Sequence, residues 1–212
     1  MACKFPLKPN HECNRCARLR SLILQNRLKE PNWHNGPVNS SGNINARLLI
    51  VGLAPGLRGA NRTGKVFKGD HSGDLLFSTL IKFGLIKDKY EKRMNNNLSF
   101  DNCRITNAVR CLPPQNKPNG SEIKNCVKFL ISELETMKNL KVVLALGGVA
   151  HGAILKAIEK PKSVYKFGHN RFHKVDKFIL ANSYHCSRYN MNTRRLTEDM
   201  FHDVFKNILS YL

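Results

Sequence analysis

Four short β-type runs, each separated from the next by helical spacing, constrain this chain more than any other feature. They are residues 47–53, with Leu48-Leu49-Ile50-Val51 at the centre, then 103–109, 141–146 and Phe178–Ser183. The first and third are apolar at consecutive positions, as a strand covered on both faces requires. Between and around them lie segments of 3.6-residue period. Residues 13–28 carry Leu19, Leu22 and Ile23, and 74–83 carry Leu75, Leu76, Thr79, Leu80 and Phe83. A Pro-rich loop at 112–118 leads into a long helix, with Ser121 as its expected cap and Ile123, Val127, Leu130, Leu134 and Met137 on one face. A further helix is expected from Gly147-Gly148 to about 158, and a last one over about 196–209 with Met200, Phe201, Val204, Phe205 and Ile208. Such alternation predicts a three-layer α/β/α sandwich around a central four-stranded parallel sheet. At 212 residues the chain is long enough for one full domain and short for two, so residues 1–212 are read as a single unit. The Pro/Asn/Gly/Ser-rich stretch 30–43 reads as an extended connection.

In open parallel sheets, ligands bind beyond the carboxyl ends of the strands. That rule selects the loops after Leu53, Ile105, Leu146 and Leu180. The first runs from Gly52 to Asp70 and holds five glycines, which allow tight turns and close approach to a ligand. It lacks the Lys-Ser/Thr ending of a nucleotide-binding P-loop, and the dinucleotide fingerprint is absent from this first strand–helix turn. The second reads Thr106-Asn107-Ala108-Val109-Arg110-Cys111, and the last Asn182-Ser183-Tyr184-His185-Cys186-Ser187-Arg188-Tyr189-Asn190.

Thirty-five Lys and Arg against fifteen Asp and Glu leave a formal charge of +20. Such an excess points to a polyanionic partner, nucleic acid before an anionic membrane surface. No stretch has the length and apolarity of a membrane span, and residues 1–10 lack the apolar core of a signal peptide. An intracellular, cytoplasmic setting is therefore expected. There, seven cysteines read as metal ligands or buried thiols sooner than as disulfides. Cys13 and Cys16 form C-x-x-C, and fourteen residues separate Cys111 from Cys126. Four thiolates from two regions suit a [4Fe–4S] cluster or a structural zinc, and the spacing does not choose. Cys126 also falls on or beside an apolar helix face, where a core thiol would sit. Cys3, Cys103 and Cys186 are read as non-ligands, Cys103 as a buried strand residue.

The opening Gly-Leu-Ala-Pro-Gly, the centre Gly-Ala-Asn-Arg-Thr-Gly and the close Phe-Lys-Gly-Asp-His-Ser-Gly of the first loop resemble motif 1 of family 5 uracil-DNA glycosylases. The run His185-Cys186-Ser187-Arg188-Tyr189-Asn190-Met191-Asn192-Thr193 is similar to that family's motif 2. With the cysteines, the resemblance spans about residues 13–197. It implies a DNA-repair glycosylase for uracil and other deaminated bases such as hypoxanthine. It also implies a [4Fe–4S] cluster on Cys13, Cys16, Cys111 and Cys126, the first two in an N-terminal cluster-binding segment of about 1–43.

The chemistry assigns roles within that resemblance. A base inside a duplex must be extruded before it can be cut. Breaking its N-glycosidic bond develops positive charge on the sugar and negative charge on the base, so a carboxylate is wanted near one and a donor near the other. The resemblance gives Asp70, at the close of motif 1, the carboxylate role; its competing duty is to cap the helix that follows. His185 would donate to the pyrimidine carbonyl, Phe67 would stack on the base, and Asn107 would read its edge. Asn190 would support His185 or the sugar. Gly52, Ala54, Phe67, Asn107 and His185 would face the base. Related families carry a polar residue where this chain has Ala54, which moves the water-activating duty to Asp70. Arg188-Tyr189 stands where Pro is expected in motif 2, and Tyr189 is read as the wedge that fills the gap left by the flipped base. Arg188, Arg194 and Arg195 would hold DNA phosphates, with Lys160, Lys162, Lys166, Arg171 and Lys174 of the preceding connection adding to them. A monomer is expected. The competing readings are a non-catalytic nucleic-acid-binding module of the same fold and a zinc-bearing interaction scaffold.

Overall fold

A computed structural model describes residues 5–87, 100 and 102–212; Cys3 lies outside the described residues. In chain order the elements are α1 (Ala17–Lys29), β1 (Ser41–Gly42), β2 (Leu48–Gly52), α2 (Ala60–Thr63), α3 (His71–Lys82), β3 (Cys103–Asn107), α4 (Gly120–Thr136), β4 (Val142–Leu146), α5 (Gly148–Ala157), β5 (Phe172–Val175), β6 (Phe178–Ser183), α6 (Arg188–Asn192) and α7 (Glu198–Leu209). The sheet order is β1-β3-β2-β4-β6-β5. Its four central strands are parallel, as expected, and the fold is the three-layer α/β/α arrangement. The expected four-stranded sheet is extended at each edge by a short antiparallel strand.

Every residue of β2, β3 and β4 is buried, because each strand feeds two apolar layers in alternation. Leu48, Ile50, Cys103, Ile105, Val142 and Leu144 pack with Leu76 and Leu80 of α3 and Phe201, Val204, Phe205 and Ile208 of α7. Their neighbours Leu49, Val51, Val143, Ala145 and Leu180 pack on the other face with Leu130 of α4 and Ala150, Ala153 and Ile154 of α5. Each fully buried aliphatic side chain contributes about 1.5–3 kcal/mol, so the sandwich is held from both sides.

Helix starts differ from the sequence expectation, and side-chain caps explain two of the differences. α3 begins at His71, not at residue 74, because Asp70 caps it: Oδ1 accepts from Gly73 N at 3.0 Å. α4 is capped by Asn119 rather than Ser121. The Asn119 side chain accepts from Glu122 N at 2.9 Å and the Glu122 carboxylate accepts from Asn119 N at 2.8 Å, a reciprocal capping box. α1 starts only at Ala17, which leaves Cys13 and Cys16 ahead of it. The most buried side chains of α4 are Glu122, Cys126, Phe129, Leu130 and Glu133, a partly polar set.

Glu133 is buried because two arginines meet it. Arg104 Nε donates to Oε2 at 2.6 Å, Arg110 lies 3.4 Å from Oε1, and Ser40 links Glu133 to Thr106 at the end of β3. The Arg104 pair holds the Glu133 carboxyl below its usual range against the opposing effect of burial. Among the described residues no helix is long and apolar enough to cross a membrane.

Candidate active site

The parallel strands run β3-β2-β4-β6 across the sheet, so the direction of chain crossing reverses at β2. The crevice beyond the carboxyl ends of β2 and β4 is the topological switch point, where such sheets bind ligands. A cavity of about 360 Å³ lies there. β2 contributes Leu53, Ala54 and Gly56, and β3 ends in Asn107. β4 runs into Gly147, Gly148 and Val149, and β6 into His185 and Ser187. Phe67, Asp70 and Ser72 complete the wall from the long first loop, and Asn116 reaches the rim from the Pro-rich loop.

The structure thus brings together Ala54, Phe67, Asp70, Asn107 and His185, which the sequence singled out. Gly52 backs the cavity without lining it. A Cβ there would run into Asn107 Oδ1 and the Phe67 ring, so glycine lets both pack over the strand end. Asn190 does not line the cavity either; its Nδ2 donates to the His185 carbonyl at 2.8 Å and fixes the backbone that carries the imidazole. Ser72, Ser187, Asn116 and the Gly147–Val149 turn were missed by sequence reasoning. The Gly-Gly pair after the third strand was the available signal for the last of these.

Asp70 holds two positions at once. Its Oδ1 is the helix cap, while Oδ2 faces Gly56 and Gly59, where a side chain would collide with it. Burial raises its pKa above the ordinary 3.8, against the pull of the Gly73 and Ser72 backbone N–H groups. His185 is mostly buried, and loss of water around its ring pushes its pKa down to about 4, which makes it a neutral imidazole near pH 7. Its ring stacks on Phe67 with centroids 6.0 Å apart and planes at 21°. Asn107 is buried, and its Oδ1 has no hydrogen-bond partner among the described residues. A buried amide oxygen in that state costs free energy until a donor arrives.

Phe67 adopts φ +57°, a left-handed conformation that a bulky residue rarely takes. α3 holds it there: a Cβ on Gly73 would overlap the Phe67 carbonyl, so the first turn of the helix presses on that peptide unit. Cys186 joins the two motifs from behind. Its thiol is wholly buried and donates to the Ser72 carbonyl at 3.4 Å.

The first loop is also tied to the segment after α1. Asn35, fully buried with φ +40°, takes a hydrogen bond from Asn61 Nδ2 at 2.9 Å. Its own Nδ2 donates to the carbonyls of Asn26 (3.2 Å) and Glu30 (2.7 Å). Backbone bonds from His34 N to Arg62 O and from Asn35 N to Asn61 O run alongside.

The four cysteines stand on one side of this tie. Cys111 and Cys126 are buried with Leu19, Ile23, Val109 and Phe129, and Cys16 packs against them. Burial, then the neighbouring Cys126, Cys13 and Cys16, makes Cys111 reluctant to lose its proton. All four are free thiols, and Asn125 Nδ2 donates to Cys16 Sγ at 3.5 Å. Among the described residues no three His, Cys, Asp or Glu side chains form a group that would hold a single metal ion.

The basic residues of motif 2 lie outside the cavity. Arg188 opens α6, Arg194 is exposed at φ +56°, and the exposed Arg195 places its guanidinium 4.6 Å from the centre of the Tyr184 ring. Tyr189 is 71% exposed on α6, two residues beyond the cavity-lining Ser187.

Comparison with known proteins supplies the family. The model of the uracil DNA glycosylase superfamily matches residues 40–209. A type-5 uracil-DNA glycosylase of Pyrobaculum aerophilum is 36% identical over 198 residues, covering 92% of this chain and 86% of that protein. One of Thermus thermophilus is 40% identical over 177 residues, 82% of this chain and 80% of its own. A third, of Mycobacterium tuberculosis, is 36% identical over 206 residues, 92% of this chain and 76% of its own.

Proposed function

The chain belongs to the uracil-DNA glycosylase superfamily, and from that premise we propose that it hydrolyses the N-glycosidic bond of uracil in DNA and leaves an abasic site. The observation that carries the proposal is one cavity walled by a carboxylate, an unsatisfied amide, an aromatic ring and a neutral imidazole.

Each group has a distinct task. The extruded base stacks on Phe67, and Asn107 Oδ1 accepts from the ring N–H that its burial leaves it short of. As the bond from C1′ to the base breaks, its electron pair passes to the base, and His185 donates a hydrogen bond to the carbonyl where that charge collects. A neutral imidazole suits this role because it stabilises the leaving anion without surrendering a full proton beforehand. Asp70 Oδ2 faces the sugar cation, orients the attacking water and takes its proton; a carboxylate raised above 3.8 is a better base than an exposed one. Ala54 offers no polar group for that duty and none to select one ring edge, which supports extending the substrates to deaminated purines such as hypoxanthine. Tyr189 fills the gap in the stack, and Arg188, Arg194 and Arg195 hold the backbone.

What supports a [4Fe–4S] cluster is that Cys16, Cys111 and Cys126, from two chain segments, pack in one apolar pocket, with Cys13 near enough to act on Cys111. Cys13, Cys16, Cys111 and Cys126 would hold it. Bound there, the cluster would cross-link the N-terminal segment, about residues 1–43, to a single glycosylase domain. The reading is of a monomer inside the cell.

The test uses labelled oligonucleotides bearing one uracil opposite G or A, followed by alkali to reveal abasic sites. Cleavage by the wild type that collapses in Asp70→Ala and His185→Ala supports the assignment. A folded protein that cuts neither uracil nor hypoxanthine would be a binding module instead.

A further inference from the structure

A second groove opens beside the catalytic cavity and shares two of its residues, Gly148 and Val149. It occupies about 520 Å³ along the length of α5, from Gly148 to Lys156 and on to Lys160 and Lys162, with Gly120 and Ile123 from the first turn of α4 on its other side. Three lysines, Lys156, Lys160 and Lys162, line it, and no acidic residue does. Lys162 lies across α5 at Gly152, where a Cβ would run into its Nζ and Cε; the missing side chain makes the bed for the ammonium group. Lys160 is held 3.0 Å from Asp176, an exposed pair that costs little to exchange for a phosphate. The two helices pack directly on one another. A space of about 520 Å³ beside two helices in contact holds a short length of one strand and not a duplex.

We propose that this groove seats the DNA strand on one side of the extruded nucleotide, in extended single-stranded form, with its phosphates on Lys156, Lys160 and Lys162. The occupant follows from two features: every charged side chain that lines the groove is a lysine, and the groove is continuous with the cavity that takes the base. A strand whose nucleotide enters the cavity has this groove as one continuation, past Gly148 and Val149 to Lys162 at Gly152 and on to Lys156 and Lys160. The inference rests on the glycosylase reading for its direction, and on charge and shape for its ligand.

The experiment compares the full-length wild type with Lys156→Ala/Lys160→Ala/Lys162→Ala. One arm measures binding of an undamaged single-stranded oligonucleotide by fluorescence anisotropy over a salt series. Three phosphate contacts at about 0.7 each should lower the slope of log affinity against log salt by about 2. Between about 50 and about 200 mM salt, the wild type should then lose roughly 16-fold more affinity than the variant. The second arm measures kcat/KM on uracil oligonucleotides trimmed from the 5′ or the 3′ side. The variant's deficit should vanish when one flank is trimmed and persist when the other is. Gly152→Ala, which displaces Lys162 while keeping its charge and favouring the helix, should show a smaller deficit on the same flank. An unchanged salt slope, or a deficit that persists on every trimmed substrate, overturns the proposal. Loss of cleavage by the wild type would refute the glycosylase reading alone, because the binding arm decides the groove without catalysis.

Discussion

Asp70 caps a helix with one oxygen and lines the cavity, so the two duties separate by substitution. Asparagine is as good an N-cap as aspartate but carries no charge. Asp70→Asn should therefore keep α3 intact and lose the stabilisation of the sugar cation. Opposite charges about 4 Å apart at an effective dielectric of about 20 attract by about 4 kcal/mol, and every 1.36 kcal/mol is tenfold in rate, so the single-turnover rate should fall by about 10³. Stability should move the other way. Burial raises the folded-state pKa of Asp70 above 3.8, so the folded protein holds that proton more tightly than the unfolded chain does. The ionised group then subtracts stability above its folded pKa and nothing below its unfolded one. Asp70→Asn is accordingly at least as stable as wild type at neutral pH, with the difference vanishing at low pH. Asp70→Ala loses the same charge and the cap as well, about 1 kcal/mol, and should melt roughly 2–4 °C below Asp70→Asn. The wild-type rate should rise with pH along an acid limb lying above 3.8, and that limb should be absent from Asp70→Asn. Single-turnover cleavage and thermal melts of the three proteins decide it. An Asp70→Asn enzyme within tenfold of wild type, or one as unstable as Asp70→Ala, refutes the division of labour.

His185→Ala should reduce kcat by about 10²–10³, as loss of one donor to a developing anion does. Because burial pushes its pKa down to about 4, the wild-type pH–rate profile should show no imidazole titration between about pH 5.5 and 8. Gly73→Ala drives a methyl group into the Phe67 carbonyl; overpacking of this kind costs about 1–3 kcal/mol, read as a lowered urea midpoint together with weaker binding of a uracil-bearing oligonucleotide. Glu133→Ala leaves two buried guanidinium groups without their carboxylate and should destabilise the fold by about 3–5 kcal/mol in a denaturant melt, while surface Glu135→Ala should not.

Strands β2 and β4 were legible because consecutive apolar residues mean two buried faces, as at Leu48-Leu49-Ile50-Val51, whereas β3 and β6, which bury Arg104, Thr106, Asn107, Asn182 and Ser183, were placed by their alternation with helices. The edge strands were not. Ser41–Gly42 is two small residues that become a strand only by pairing with Ile105 and Arg104, and Phe172–Val175 is defined by its partners in β6. Such pairing is set by tertiary contact, which no local pattern encodes. The site followed the same division. Asp70, Phe67, Asn107 and His185 stand in distinctive runs, whereas Ser72 and Asn116 reach the cavity through a capped helix start and a left-handed turn. The buried Arg104–Glu133–Arg110 set reads as ordinary surface charge until α4 is laid on the sheet.

The tie between Asn35 and Asn61 makes α1 a foundation for the base pocket rather than an appendage to it. A chain shortened past Asn35 would still contain Asp70, Asn107 and His185, yet the loop that presents Phe67 and Asp70 would have lost its anchorage. Such a truncation would lose activity with Asp70, Asn107 and His185 all in place. Damage to the cysteine group at the other end of α1 would reach the substrate by the same beam.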